Sequence, residues 1–137
     1  MTTVSAGLAA ASAGIMLLLG LIHLVYTFSG QRLHPRSLQV AEQMQNNSPR
    51  LTSQTTIWSA WIGFNASHSL GAIMFGVVYL NLATTYPDIL WGSITLRTAG
   101  LLALTAYLAL AARYWFSTPF RAIAVATTLY GTALVIA

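Results

Sequence analysis

The sequence of 137 residues predicts an all-α fold, a single-domain integral membrane four-helix bundle with up-down topology. Three observations support this prediction. Charged residues make up only 6% of the chain, against about 25% in soluble domains. Hydrophobic residues make up 56%, and they form four long runs, each close to the roughly 20 residues that a membrane-spanning helix needs. An ordinary soluble globule is therefore excluded.

The four predicted spans are residues 7–28, 57–83, 90–112 and 120–137. The first two contain no charged residue and the third contains Arg97. The first run is expected to be a mature helix and not a signal peptide, because residues 2–6 carry no positive charge and the run is too long. Thr118 places a hydroxyl before Pro119, which is typical of a helix start. We therefore expect Pro119 to open the fourth helix.

One long polar connection, residues 29–56, separates the first two spans. Within it Leu38, Ala41 and Met44 recur at helical spacing, which indicates a short helix on the membrane surface. An irregular loop is the alternative, and the pattern does not decide between them. His34 is expected to be an exposed residue of this connection.

The arginines predict the orientation of the chain, because short loops rich in Lys and Arg stay on the cytoplasmic side. The first and third connections lie on one side and carry Arg32, Arg36, Arg50, Arg113 and Arg121. The opposite side has only Asp88 and the inward-lying Arg97. Both termini are therefore expected on the non-cytoplasmic face.

The second predicted helix has two distinctive faces. Small residues at helical spacing form a ladder that allows close packing between helices in lipid: Ser59, Gly63, Ser67 and Gly71. The other face carries Trp61, Asn65 and His68. A helix with both faces is expected to be contacted on both sides.

His23, late in the first predicted helix, is expected to share a polar pocket with Asn65 and His68, because the two helices are neighbours in the chain. Ionisable groups at membrane depth are costly and are often functional. The pocket, with Trp61 beside it, is a candidate binding site for a quinone, a pigment or a lipid. Packing between helices is the structural alternative. Helical rise separates the depths of the two histidines by about 9 Å, which argues against one haem held by both.

Arg97 cannot lose its charge. It is expected either to extend towards the interface or to pair with Asp88 or with the carboxylate of Ala137. An anionic ligand head group is the alternative if Arg97 faces the bundle interior.

Several functions lack the residues they need. The formal charge of +4 is too small and scattered for nucleic-acid binding. The chain has no cysteine, which excludes thiol chemistry. It has no cluster of three metal ligands and no assembled hydrolase triad. Catalytic residues stay unassigned, apart from the hypothesis that His68 acts as a general base and Asn65 orients a lipid substrate.

Three stretches carry a likeness to other proteins: residues 20–27 around His23, then Met44, then residues 61–71 around Asn65 and His68. Together they resemble a group of small bacterial four-helix membrane proteins with a late histidine in helix one and a Gly-Phe-Asn-x-Ser-His-x-x-Gly stretch in helix two. The resemblance covers about the first 83 residues. It supports four spans and implies a bacterial source, and it implies no activity. For such a chain we expect the bacterial inner membrane as the location.

The function expected first is an accessory or structural subunit that packs, among membrane lipids, within a larger membrane assembly or a homo-oligomer. Small loops and few reactive groups support that expectation. The alternative is a lipid-, quinone- or pigment-binding protein that uses the His/Asn pocket. A small enzyme acting on a lipid is the second alternative.

Overall fold

The computed structural model describes residues 3–137, and this part of the chain is helical with no strand. The helices are α1 (Thr3–Phe28), α2 (Leu38–Asn46), α3 (Ile57–Thr84), α4 (Pro87–Gly92), α5 (Ile94–Tyr114) and α6 (Ser117–Ile136). Four of them, α1, α3, α5 and α6, are long and apolar enough to cross a membrane. The prediction of an all-helical chain with four apolar helices is confirmed.

The helix boundaries differ from the predicted ones where local capping decides them. The third predicted span divides into α4 and α5, because Ser93 ends the first and accepts a hydrogen bond from the backbone N of Leu96, at 3.3 Å, to begin the second. The prediction that Pro119 opens the last helix is wrong. Helix α6 begins at Ser117, and Pro119 lies in its first turn, where no backbone donor is needed.

The polar connection contains the short helix α2. Ser37 is its N-cap and accepts from the backbone N of Val40 at 3.4 Å. Leu38 is 87% exposed, whereas Met44 is half-buried. Of the two alternatives, the helix is therefore the one that forms.

The described residues form two compact units, the first made of residues up to Leu19 together with Ala72–Ala137. In this unit the Ser12 hydroxyl of α1 donates to the carbonyl of Ala126 in α6 at 2.7 Å. The Tyr79 hydroxyl of α3 donates to the carbonyl of Leu96 in α5 at 2.8 Å. The largest side chains that are fully buried here are Tyr130, Met16, Leu90 and Leu104. Segments of four long helices thus share one core.

Gly76 and Gly100 allow the closest approaches in this unit. A Cβ at Gly76 would lie 2.5 Å from the Cβ of Leu17 and 2.7 Å from its backbone. A Cβ at Gly100 would lie 2.5 Å from the Tyr130 hydroxyl. A side chain at Gly76 would require a shift of the α1 backbone, and one at Gly100 would require a shift of the Tyr130 and Tyr79 side chains.

The second unit, Gly20–Gly71, holds the end of α1, the connection with α2 and the start of α3. The backbone N of Ile57 donates to the carbonyl of Asn47 at 2.8 Å, which ties the end of the connection to α3. Gly30 follows α1 with a φ of 80°, a left-handed conformation that favours glycine. All predicted polar residues of the His/Asn pocket belong to this unit.

Candidate functional site

A hydrogen bond between α1 and α3 forms the centre of the candidate site. The Nε2 atom of His23 lies 3.1 Å from the Oδ1 atom of Asn65. Asn65 is only 7% exposed, and its Nδ2 atom donates to the carbonyl of Trp61 at 2.8 Å. Because the amide nitrogen is used in this way, the amide oxygen faces His23. His23 Nε2 is then the donor, and it carries the proton.

His68 lies against the same pair. Its ring centroid is 5.3 Å from that of His23, and the two rings meet edge-on at 83°. Asn65 and His68 are three residues apart, so they share one face of α3. The two rings lie closer together than the difference in depth of about 9 Å expected from helical rise, because each side chain extends away from its own backbone.

Two buried hydroxyls donate hydrogen bonds to the backbone carbonyls of His23 and Asn65. The Thr27 hydroxyl donates to the carbonyl of His23 at 2.8 Å, and the Ser69 hydroxyl donates to the carbonyl of Asn65 at 2.8 Å. Both side chains are buried, with 5% and 0% exposure. These bonds satisfy the polar groups of Thr27 and Ser69 inside the protein, so the supporting residues add no uncompensated polarity to the site.

An open cavity of about 280 Å³ belongs to the same unit. Its lining is formed by Leu33, His34, Pro35, Met44 and Trp61. Trp61 connects the cavity to the polar pair, because it is one of the lining residues and its carbonyl accepts a hydrogen bond from the Asn65 amide. The predicted residues Trp61, Asn65, His68 and His23 are therefore brought together in one region.

His34 is the residue that sequence reasoning missed. It was expected to be exposed, but it is half-buried and its ring meets that of Trp58 edge-on, with 4.8 Å between centroids. The reason is that the connection folds back through α2 towards the start of α3. The sequence shows only a histidine beside a proline in a polar segment, and this pattern does not indicate a contact with Trp58.

The small-residue ladder of α3 lies on the surface of the chain. Its four members, Ser59, Gly63, Ser67 and Gly71, are all exposed. A Cβ at Gly63 would meet nothing within 4 Å. The Ser67 hydroxyl donates to the carbonyl of Phe64 in its own helix, at 2.9 Å. Within its own unit the ladder is therefore open to a further helix.

Arg97 lies in the first unit, in the second turn of α5. Its Nε atom is buried and has no hydrogen-bond partner among the described residues. Asp88 is exposed on α4, and in the described part of the chain no ion pair joins it to Arg97. The expected pairing with Asp88 is thus absent from the described contacts.

Four long apolar helices and few charges place this chain in the class of multi-pass helical membrane proteins. Residues 3–137 contain no group of three or more histidine, aspartate or glutamate side chains that could hold a metal ion. Comparison with protein-family models, with curated proteins and with solved structures gives no match. The likeness to small bacterial four-helix proteins therefore stays a prediction from its motifs.

Proposed function

We propose that this protein is an up-down bundle of the bacterial inner membrane, with both termini non-cytoplasmic, that binds a membrane-soluble small molecule beside His23, Asn65 and His68. The observation that carries the proposal is the hydrogen bond of 3.1 Å between His23 and Asn65 with the His68 ring 5.3 Å from His23. Two imidazoles and an amide are energetically costly to place inside a membrane, and such polar groups at membrane depth are often functional.

A quinone fits this chemistry best among the three ligand classes. Its carbonyl oxygens accept hydrogen bonds from N–H groups, and the Asn65 amide has a second N–H besides the one that the Trp61 carbonyl accepts. Its ring packs against tryptophan and methionine, which Trp61 and Met44 supply at the cavity. Its apolar tail extends along the exposed apolar faces of the helices. The cavity of about 280 Å³ suits one substituted ring better than a tetrapyrrole pigment, since a cavity of about 150 Å³ already holds benzene.

Quenching of tryptophan fluorescence tests quinone binding directly, because Trp58 and Trp61 lie in this unit. A short-chain benzoquinone is titrated into the full chain in mild detergent. We expect saturable quenching that weakens about tenfold or more in Asn65→Leu and in His68→Phe, since each loses a polar group of the site. Thr105→Ala is the matched control, because its hydroxyl bonds only carbonyls of its own helix. Equal quenching in all four proteins would contradict the proposal.

An accessory or structural subunit is the second candidate function, and the outward ladder of α3 favours it. Exposed small residues at this spacing let a further membrane helix approach closely. Gly63→Leu is expected to break the association with a second copy or a partner subunit, as measured by native mass spectrometry. Gly7→Leu is the control, because a side chain there also meets open space, on α1. Loss of association in both variants, or in neither, would argue against the ladder.

A further inference from the structure

We infer that Arg97 binds the phosphate group of a membrane phospholipid at the N-terminal end of α5. The guanidinium is a permanent charge in a membrane span. No hydrogen bond or ion pair engages it in the described part of the chain, and of its three nitrogens only Nε is buried. The two terminal nitrogens are therefore accessible at the protein surface, and their N–H groups have no acceptor within the described part of the chain.

No acidic side chain pairs with Arg97 in the described part of the chain. The Nε1 atom of Trp91, at the end of α4, is also buried without a partner among the described residues. The carbonyls of Leu96 and Arg97 accept from the hydroxyls of Tyr79, at 2.8 Å, and Tyr130, at 3.4 Å. These bonds fix the start of α5. The chain has only two acidic residues, and neither pairs with Arg97, so a ligand that supplies acceptors and negative charge would complete the hydrogen bonds of the guanidinium.

The position of Arg97 matches the level of lipid phosphates. It lies three residues after the first residue of α5, which is about 5 Å along the helix axis. Side chains on a helix lean towards its N-terminus, so the guanidinium reaches back towards the end of the span. The interfacial layer of a bilayer lies at that end and holds the phosphates. The helix dipole there also favours an anion.

The test compares lipids and variants by native mass spectrometry of the full chain in mild detergent. Phosphatidylglycerol is the probe, diacylglycerol is the same lipid without phosphate, and inorganic phosphate is the free anion. Arg97→Gln removes the charge. Arg113→Gln is the matched control, because it removes an exposed arginine from the last turn of the same helix. Neither variant touches the His/Asn cluster, so both should quench with benzoquinone like the wild type.

We expect Arg97→Gln to weaken phosphatidylglycerol binding about tenfold or more, and Arg113→Gln to change it by less than about twofold. Diacylglycerol should bind weakly to all three proteins. If Arg97→Gln does not fold, the inference is tested by comparing the binding of phosphatidylglycerol with that of diacylglycerol. The comparison is made on the wild type and on Arg97→Lys. Equal loss in both glutamine variants, no preference for the phosphate-bearing lipid, or displacement of the lipid by inorganic phosphate would overturn the inference.

Discussion

At the level of single residues, the polar side chains of the long helices form hydrogen bonds mainly with backbone carbonyls. Thr27, Thr84, Thr105 and Thr127 bond carbonyls of their own helices. The bond between His23 and Asn65 is different, because it joins two side chains of α1 and α3 across 42 positions of sequence. A contact of this kind fixes the orientation of the two side chains and links the two helices.

Asn65→Leu should destabilise the protein by about 0.6–1.7 kcal/mol, which are the average and the maximum measured for hydrogen bonds between helices of a membrane protein. The variant removes the acceptor of His23 and the donor to the Trp61 carbonyl, and it replaces the amide with an apolar side chain that also branches at Cγ. Reversible unfolding by SDS in mixed micelles measures the change. Ser67→Ala is the control, since it removes an exposed hydroxyl bonded only within α3. If Ser67→Ala lowers the free energy of unfolding as much as Asn65→Leu does, the hydrogen bond between His23 and Asn65 does not contribute specifically to stability.

Gly76→Ala should destabilise the protein by about 1–3 kcal/mol, as overpacking does. The new Cβ would lie 2.5 Å from the Cβ of Leu17 and 2.7 Å from its backbone, and a backbone atom cannot move without shifting the helix. Gly14→Ala meets nothing within 4 Å, so it should be neutral or slightly stabilising through helix propensity. The same unfolding assay checks both variants. A neutral Gly76→Ala would show that α1 and α3 separate easily at this point.

At the scale of helices, hydropathy and length were sufficient to predict α1, α3, α5 and α6. The ends were harder, because they depend on single capping bonds. The Ser93 hydroxyl separates α4 from α5, and no hydropathy profile resolves a break of one residue. Helix α2 was one of two alternatives, since its nine residues are too few for periodicity to decide.

The N-cap of α2 gives a prediction at this scale. Ser37→Ala removes the acceptor of the Val40 backbone N and should raise amide hydrogen exchange at residues 38–43 about fivefold, as the loss of roughly 1 kcal/mol of capping does. Hydrogen exchange followed by mass spectrometry measures it. Ser53→Ala, in an exposed bend of the same connection, should leave exchange in α2 unchanged. Unchanged exchange in Ser37→Ala would mean that packing alone holds α2.

At the scale of the whole molecule, the distribution of arginines predicts the orientation. The chain has no cysteine, so single cysteines report the side of the membrane cleanly. We expect Thr85→Cys, between α3 and α4, to react with a membrane-impermeant maleimide in intact cells. Ser48→Cys, in the long connection, should react only after the membrane is opened. The reverse pattern would place the termini in the cytoplasm and contradict the charge argument.

The site was predicted in part from the sequence. Histidine and asparagine inside apolar runs stand out because they are rare there, and the chain order of the two helices indicated that His23, Asn65 and His68 meet. The cavity beside Trp61 did not follow from the sequence, because it depends on how residues 33–44 fold back. The outward direction of the ladder did not follow either, since small residues at helical spacing pack equally well within a chain or between chains.

The central claim is that the cluster of His23, Asn65 and His68 binds a small molecule from the membrane. The most direct test is an ultraviolet-visible spectrum and native mass spectrometry on one sample of the wild type purified in mild detergent, beside Asn65→Leu. We expect a stoichiometric small molecule, with quinone absorption, that the wild type retains and Asn65→Leu loses. A clean protein spectrum and a stable heavier assembly in both proteins would contradict it and make the cluster a packing contact.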